Sequence, residues 1–378
     1  MSSPTNTLTS IFIKNFIIPR AQVLDQPGFV LFKMGGKSKI YSRQVIFPES
    51  FLVDLELELT KKFGDSAKKA LYVAGKKFGV VFATMGNFFT ISGYSEKQKF
   101  VEYIKLLNNF IEGTYAQKMY FEADIEIPKF NFHLDRFVGC NKSGLGFFLP
   151  TGAAAGLLCY LLERDDIEGI HEKCQGVGEK ECLVTYAPGK FFKDNNIQFI
   201  DSNGYEKVNI SPEYSNWNKV QPTKYSKDSF QKLLNSKFFS YNQGVIQKDS
   251  QRYFIFETSG IYILETDLKL NPGFLEVLLE VSIKQGVNLW EVGAKNTQGL
   301  ADFLTAFGWG DVLIMKKAGK YLVNIDYYPW TPLVDKSNFT IIQGILQGAL
   351  SKIDNRIVIF SNKKTNFNTG ALSISFFE

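Results

Sequence analysis

No GxxxxGK[ST] stretch occurs anywhere in the chain, so a phosphate-cradling P-loop is excluded. A basic recognition helix is also missing, which argues against a helix-turn-helix regulator. The formal net charge is only +5, with 43 Lys and Arg spread among 38 acids, a balance that makes no nucleic-acid groove. The opening residues "MSSPTNTLTS" lack the basic region and apolar stretch of a signal peptide, so a cytoplasmic protein is expected. Long apolar runs are lacking too. The nineteen uncharged residues 144–162, "GLGFFLPTGAAAGLLCYLL", are interrupted by Pro150, leaving twelve before Glu163. Twelve helical residues span roughly 18 Å, against the roughly 30 Å of a bilayer core. The stretch therefore reads as a buried strand end, a turn and a buried helix, with no transmembrane segment. Only four cysteines occur, Cys140, Cys159, Cys174 and Cys182. Without an export signal they point to a reducing compartment and to free or metal-bound thiols instead of disulfides.

What is present is a folded composition, 45% hydrophobic and 21% charged, with 35 Phe and 17 Tyr to line cores or cavities. A chain of 378 residues exceeds one core of ordinary size, and two domains follow. Internal similarity supports them. "FPESFLVDLELELTKKFG" (47–64) and "NPGFLEVLLEVSIKQG" (271–286) share a proline, then Phe-Leu, then an amphipathic helix with glycine, Gly64 or Gly286, as its stop. A β-rich segment precedes each, and a second helix follows, ending in "AGKKFG" (74–79) or "AKNTQG" (294–299). The first copy alone carries a further helical stretch, 95–115. A shift of 189 positions lays 151–188 over 340–377, each reading as a helix of small residues, a strand, a polar turn and a final strand. The spacing predicts an α+β fold of tandem duplicated domains, each an antiparallel sheet packed with helices. Their bounds are 1–190 and 226–378, joined by a polar linker at 191–225. Under the shift His171 falls on Phe360, Cys174 on Lys363 and Cys182 on Ala371, so the second copy is degenerate at these positions.

Residues 171–182, "HEKCQGVGEKEC", read as two short strands joined by a glycine-rich turn, with a thiol on each strand near that turn. Structural zinc wants about four Cys or His ligands in tetrahedral array. Closing the seven-residue loop brings Cys174 and Cys182 together, but His171, three before Cys174, faces the other way on an ideal strand. A bulge or strand end at "HEK" would turn it back. Three readings compete here: a zinc site, two buried packing thiols, and a redox or catalytic cysteine, the last lacking a nearby base. Cys140, in the loop "GCNKSG", is the best available fourth ligand, while Cys159 in "AGLLCYLL" reads as a helix-packing residue. His133 alternates with apolar residues in "FNFHLDRF" and reads as a strand histidine able to line a pocket.

The strand pair, the helix pair, the small-residue helix "GAAAGLL" and the run His171, Cys174, Gly178, Cys182 before a final strand resemble the 4-vinyl reductase (4VR) domain. That domain shares its ligand-binding fold with phenol-sensing regulator input domains and TRAPP vesicle-tethering subunits. The resemblance covers roughly 25–190, and 226–378 follows in order of elements but not in ligands. It implies a small-molecule-binding domain that pairs, hence a homodimer or a protein partner. It also implies zinc, with Cys174 and Cys182 matching two cysteine ligands and His171 standing where a glutamate ligand would. The remaining cysteine of that pattern falls on or near Phe148, and Cys140 is expected to substitute for it. The leading expectation is a non-enzymatic sensory protein whose apolar pocket, beside His133, Phe147, Phe148 and Tyr160, takes a small apolar or aromatic ligand. An alternative reading of the stripe "GAAAG" is that it lets two helices approach closely. A second expectation is a scaffold that uses the duplication as an intrachain pseudo-dimer. The third, an enzyme or accessory of tetrapyrrole vinyl reduction, rests on the family name alone, and "AGKKFG" does not follow a strand as a nucleotide-binding motif would.

Overall fold

The computed structural model describes residues 26–33, 41–86, 88, 90, 104, 111–112, 115–124, 127–140, 147–204, 222–242, 245–268, 270–330, 337–366 and 369–377. Most of the helical stretch expected at 95–115 lies outside them. The chain divides into two compact units. Unit 1 comprises Met1–Arg20, Pro48–Asn209 and Ser240–Phe254; unit 2 comprises Ala21–Phe47, Ile210–Phe239 and Ile255–Glu378. Each half of the sequence thus gives one segment to the other unit.

In chain order, β1 (Val30–Lys33) and β2 (Tyr41–Pro48) form an antiparallel pair, Val30 facing Gln44. Unit 1 then begins with α1 (Glu49–Phe63), which carries an acid in its first turn and Lys61 and Lys62 in its last, each favourable to the helix dipole. It stops at Gly64, as the sequence predicts, with φ 57°. Next come α2 (Asp65–Met85), β3 (Lys118–Asp124), β4 (Lys129–Asp135), α3 (Phe148–Leu162), β5 (Ile167–Lys173), β6 (Cys182–Pro188) and the short α4 (Gly189–Asp194). The antiparallel sheet runs β3-β4-β6-β5. Along β4 the period of two is plain: Phe130, Phe132 and Leu134 are buried, while Asn131, His133 and Asp135 alternate with them.

Glycines join α3 to α2. A Cβ on Gly156 would lie 1.9 Å from the Lys76 carbonyl oxygen, and one on Gly79 would lie 1.9 Å from that of Ala153. Gly75 and Gly152 are as tight against Leu149 and Tyr72. The reading of "AGKKFG" as a helix end is therefore corrected: α2 runs through it to Met85, because Gly75 and Gly79 are contact surface instead of a stop. Pro150 likewise falls within the first turn of α3, where its missing N–H costs no intrahelical bond, so 148–150 is helix and not a strand end. Beneath the pair, Lys76 and Glu168 form a buried ion pair at 3.0 Å. Tyr72 donates to Glu168 at 2.8 Å, and the Ser202 hydroxyl donates to it at 2.7 Å.

After α5 (Phe230–Asn235) in unit 2, the segment 240–254 contributes β7 (Ser240–Asn242), β8 (Val245–Lys248) and much of β9 (Gln251–Glu257), paired in that order. Unit 2 continues with α6 (Thr258–Leu268), α7 (Pro272–Val292), α8 (Thr297–Ala306), β10 (Asp311–Lys317), β11 (Lys320–Asp326), α9 (Thr340–Asp354), β12 (Ile359–Asn366) and β13 (Ala371–Phe377). Its sheet order, β10-β11-β13-β12, repeats the winding of unit 1. Gly286 is also interior to its helix: its Cβ would meet the Ile345 carbonyl oxygen of α9 at 2.0 Å, so it is no stop. In meeting a small-residue helix through a glycine, α7 packs as α2 does and not as α1. The shared proline is not at one position either: Pro48 is the N-cap of α1, whereas Pro272 opens α7 behind its N-cap Asn271.

Candidate metal centre

Among the described residues, one group of side chains has the donor set and spacing of a metal site. Cys140, His171, Cys174 and Cys182 place one ligand atom each, all within 4.8 Å of one another. Each reaches the cluster by a different local device. Cys182 opens β6, facing Leu134 on β4. Cys174 follows the last residue of β5 and starts a 3₁₀ turn, Gln175–Val177, that ends at Gly178 with φ 97°. His171 is turned inward by a register shift between His171 and Lys173, the bulge at "HEK" that strand parity requires. Cys140 lies beyond β4 on a tight corner in which Val138 N–H donates to the Tyr115 carbonyl and Cys140 N–H to that of Phe137. Gly139 in that corner has φ 87°, and a Cβ there would be 2.6 Å from the Phe147 ring.

The three cysteines are buried in the core of unit 1 and none forms a disulfide. Backbone N–H groups point at the sulfurs, Gly176 to Cys174 at 3.3 Å and Gln175 to Cys182 at 3.4 Å, the kind of donor that favours a thiolate. Hydrogen bonds from Cys140 and then Cys182 hold the Cys174 thiol well below its ordinary value. His171 adds to that lowering without forming a hydrogen bond of good geometry. Cys140 is pushed far up, chiefly through its bonds to Cys174 and Cys182 and then by burial. At Cys182 the bond with Cys140 acts downward, but Cys174 and burial outweigh it and lift the thiol to about 11. Both ring nitrogens of His171 are buried without a hydrogen bond among the described residues. An imidazole so placed lacks the partner that buried nitrogens nearly always have.

These residues fit a zinc ion. Bond lengths near 2.3 Å to sulfur and 2.0–2.1 Å to nitrogen put tetrahedral ligand atoms about 3.5–3.8 Å apart, so only small closures are needed from this arrangement. Gln175 fastens the ligand loop: its side chain donates to Asp135 at 2.8 Å and to the Lys180 carbonyl, and accepts from Arg136 N–H at 2.7 Å. Sequence reasoning missed it, since a glutamine inside a loop carries no pattern of its own.

The other expected site residues do not converge. His133 is on the face of β4 opposite the core residues, stacked on Tyr120 at 4.2 Å and bonded to Glu181 at 3.0 Å. Phe147 is buried under the Cys140 corner, and Phe148 begins α3, where its N–H donates to Glu56. Tyr160 is twelve residues further along α3, roughly 18 Å by helical rise, and donates to the Phe88 carbonyl. Cys159 stays outside the cluster, its sulfur 3.5 Å from the Ile167 carbonyl and its thiol lifted by burial to about 11. The small-residue stripe of α3 faces α2, so the close-approach reading of "GAAAG" is the one the packing uses.

Unit 2 has other residues in these places. Opposite Ile325, the penultimate residue of β11 as Leu134 is of β4, stands Leu372. Lys363 pairs with Ile374 as His171 pairs with Val184. The constant shift that put Phe360 and Ala371 there is thus corrected by the sheet register. The Lys363 ammonium bonds the Asn338 carbonyl and lies 5.3 Å from the centre of the Phe339 ring.

Comparison with protein-family models gives no match to this chain, and comparison with curated proteins gives none either. No helix of the described residues is long and apolar enough to cross a membrane.

Proposed function

We propose that the protein is a non-enzymatic binding protein whose unit 1 is closed by one structural zinc ion on Cys140, His171, Cys174 and Cys182. The observation that carries this is the closed donor set: three sulfurs and an imidazole within 4.8 Å of one another. Four protein ligands complete a tetrahedron, whereas catalytic zinc keeps a position open for water or substrate. Thiolate and imidazole donors select zinc over magnesium or calcium, which want oxygen. Zinc bound there supplies a cross-link between the β4 corner and the β5–β6 hairpin and neutralises thiolates that would otherwise repel.

The finer reading is a tandem pair of 4VR-like domains serving as a sensor of a small apolar or aromatic ligand. Its support is the order of elements, the matching sheet winding of the two units, and the Cys/His signature confined to unit 1. A second reading, a scaffold that presents the duplicated domain to protein partners, is favoured by the glycine-packed helix pairs. They fill the space that a ligand beside the small-residue helix would need.

Native mass spectrometry of the full chain, before and after chelation, tests both levels. We expect one zinc per chain, lost on chelation together with an early-melting transition, and lost in C174S and C182S. A wild-type chain that takes up no zinc when supplied with it would overturn the proposal. A retained apolar small molecule would decide for the sensor over the scaffold.

A further inference from the structure

Three thiolates and a neutral imidazole around a divalent cation leave one net negative charge, and here that charge is buried. Buried charge is costly unless paired. Resting on the zinc reading above, we propose that Arg252 is the counter-charge of the metal centre and the clamp of the corner that carries Cys140.

Arg252 comes from β9, far along the chain from any of the four ligands, yet belongs to the same unit. Only 7% of it is exposed. Its Nη1 donates to the Arg136 carbonyl at 2.6 Å and its Nη2 to the Tyr115 carbonyl at 3.2 Å. Those carbonyls are the two sides of the corner: Tyr115 also accepts from Val138 N–H, and Arg136 follows directly on β4. The planar fork therefore ties together the backbone that sets the position of the Cys140 sulfur, which a single ammonium cannot do as well. Burial draws the guanidinium pKa down and the nearby Arg136 cation adds to that, while Glu49 and, behind it, Cys140 act to hold its charge. The Glu49 carboxylate, 4.0 Å from Nε, is the competing anion. It lies in the first turn of α1, where the helix N-terminus also favours it.

Charge balance and mere packing predict different outcomes when both members of the Arg252–Glu49 pair are changed. If Arg252 acts through its charge, removing it loosens the metal and removing Glu49 tightens it. Packing alone would make both changes loosen it.

Zinc affinity of the full chain is to be measured by competition with a chromophoric chelator for wild type, R252M, R252K and E49Q. Loss of an outer partner of a metal site typically costs 10–100-fold in affinity, and about that loss is expected for R252M. R252K, which keeps the charge but not the fork, should recover part of it, and E49Q should bind zinc at least as tightly as wild type. Equal affinity in R252M and wild type would overturn the proposal. So would an R252K as weak as R252M, or an E49Q that loses affinity as R252M does. Failure of the wild type itself to bind zinc would instead remove the site reading on which this one stands. Should R252M not fold, R252K and E49Q still decide between charge and packing.

Discussion

Glu56 gives the most quantitative test of how unit 1 is held together. Its carboxylate, on α1, caps the start of α3: Phe148 N–H donates to one oxygen at 2.9 Å and Leu149 N–H to the other at 3.4 Å. The group is fully buried, and burial raises its pKa from the ordinary 4.5 to about 7 in spite of those two bonds. A raised carboxyl pKa fixes the sign. Below about pH 4.5 the group is protonated in both folded and unfolded chains and costs nothing. As pH rises towards 7 the unfolded chain ionises while the folded carboxyl resists, so stability falls, and the loss is complete above the folded value. At 1.36 kcal/mol per pKa unit the loss is about 3 kcal/mol. The perturbation is Glu56→Gln, which keeps one acceptor and cannot ionise. Urea unfolding of the full chain from about pH 4 to about pH 9, followed by hydrogen exchange of the α3 peptides, reports unit 1 separately. The stability difference between wild type and E56Q should fall by about 3 kcal/mol across that range. A difference that does not change with pH would refute the reasoning: it would mean that Glu56 reaches solvent or a cation when ionised.

Gly156→Ala should destabilise unit 1 by at least the 1–3 kcal/mol typical of overpacking, because its Cβ would be 1.9 Å from backbone. Gly189→Ala is the control: its nearest neighbour stands at 3.5 Å, so its melting temperature should stay close to wild type. Lys76→Met should cost up to about 3–5 kcal/mol in unit 1 stability, because Glu168 keeps its bonds from Tyr72 and Ser202 but loses its buried counter-charge. Adding Glu168→Gln to it should return part of that loss, and a double variant no more stable than K76M would argue against an electrostatic cause.

Local chemistry was legible where it repeats along the chain or punctuates it. Alternating Phe130, Phe132 and Leu134 marked a half-buried strand, and Gly64 ended its helix as read. The hairpin that brings Cys174 and Cys182 together was also visible, since a glycine-rich turn between apolar runs has few other uses. Glycine inside helices misled, because Gly75, Gly79 and Gly286 are the same residue whether they stop a helix or admit a neighbour. Only the neighbour distinguishes the two.

From the sequence alone came an α+β chain with antiparallel sheets, four possible metal ligands and a second half without them. Those features depend on side-chain type at short range, where period and turn chemistry act directly. Tertiary structure decided the rest. It bulged β5 so that His171 turns inward and folded the Cys140 corner onto the hairpin. It also brought Arg252 and Glu56 to backbone groups far away in sequence, where burial alone makes their charges matter. No local pattern encodes such meetings, because a buried charge is placed by whatever the rest of the chain packs around it.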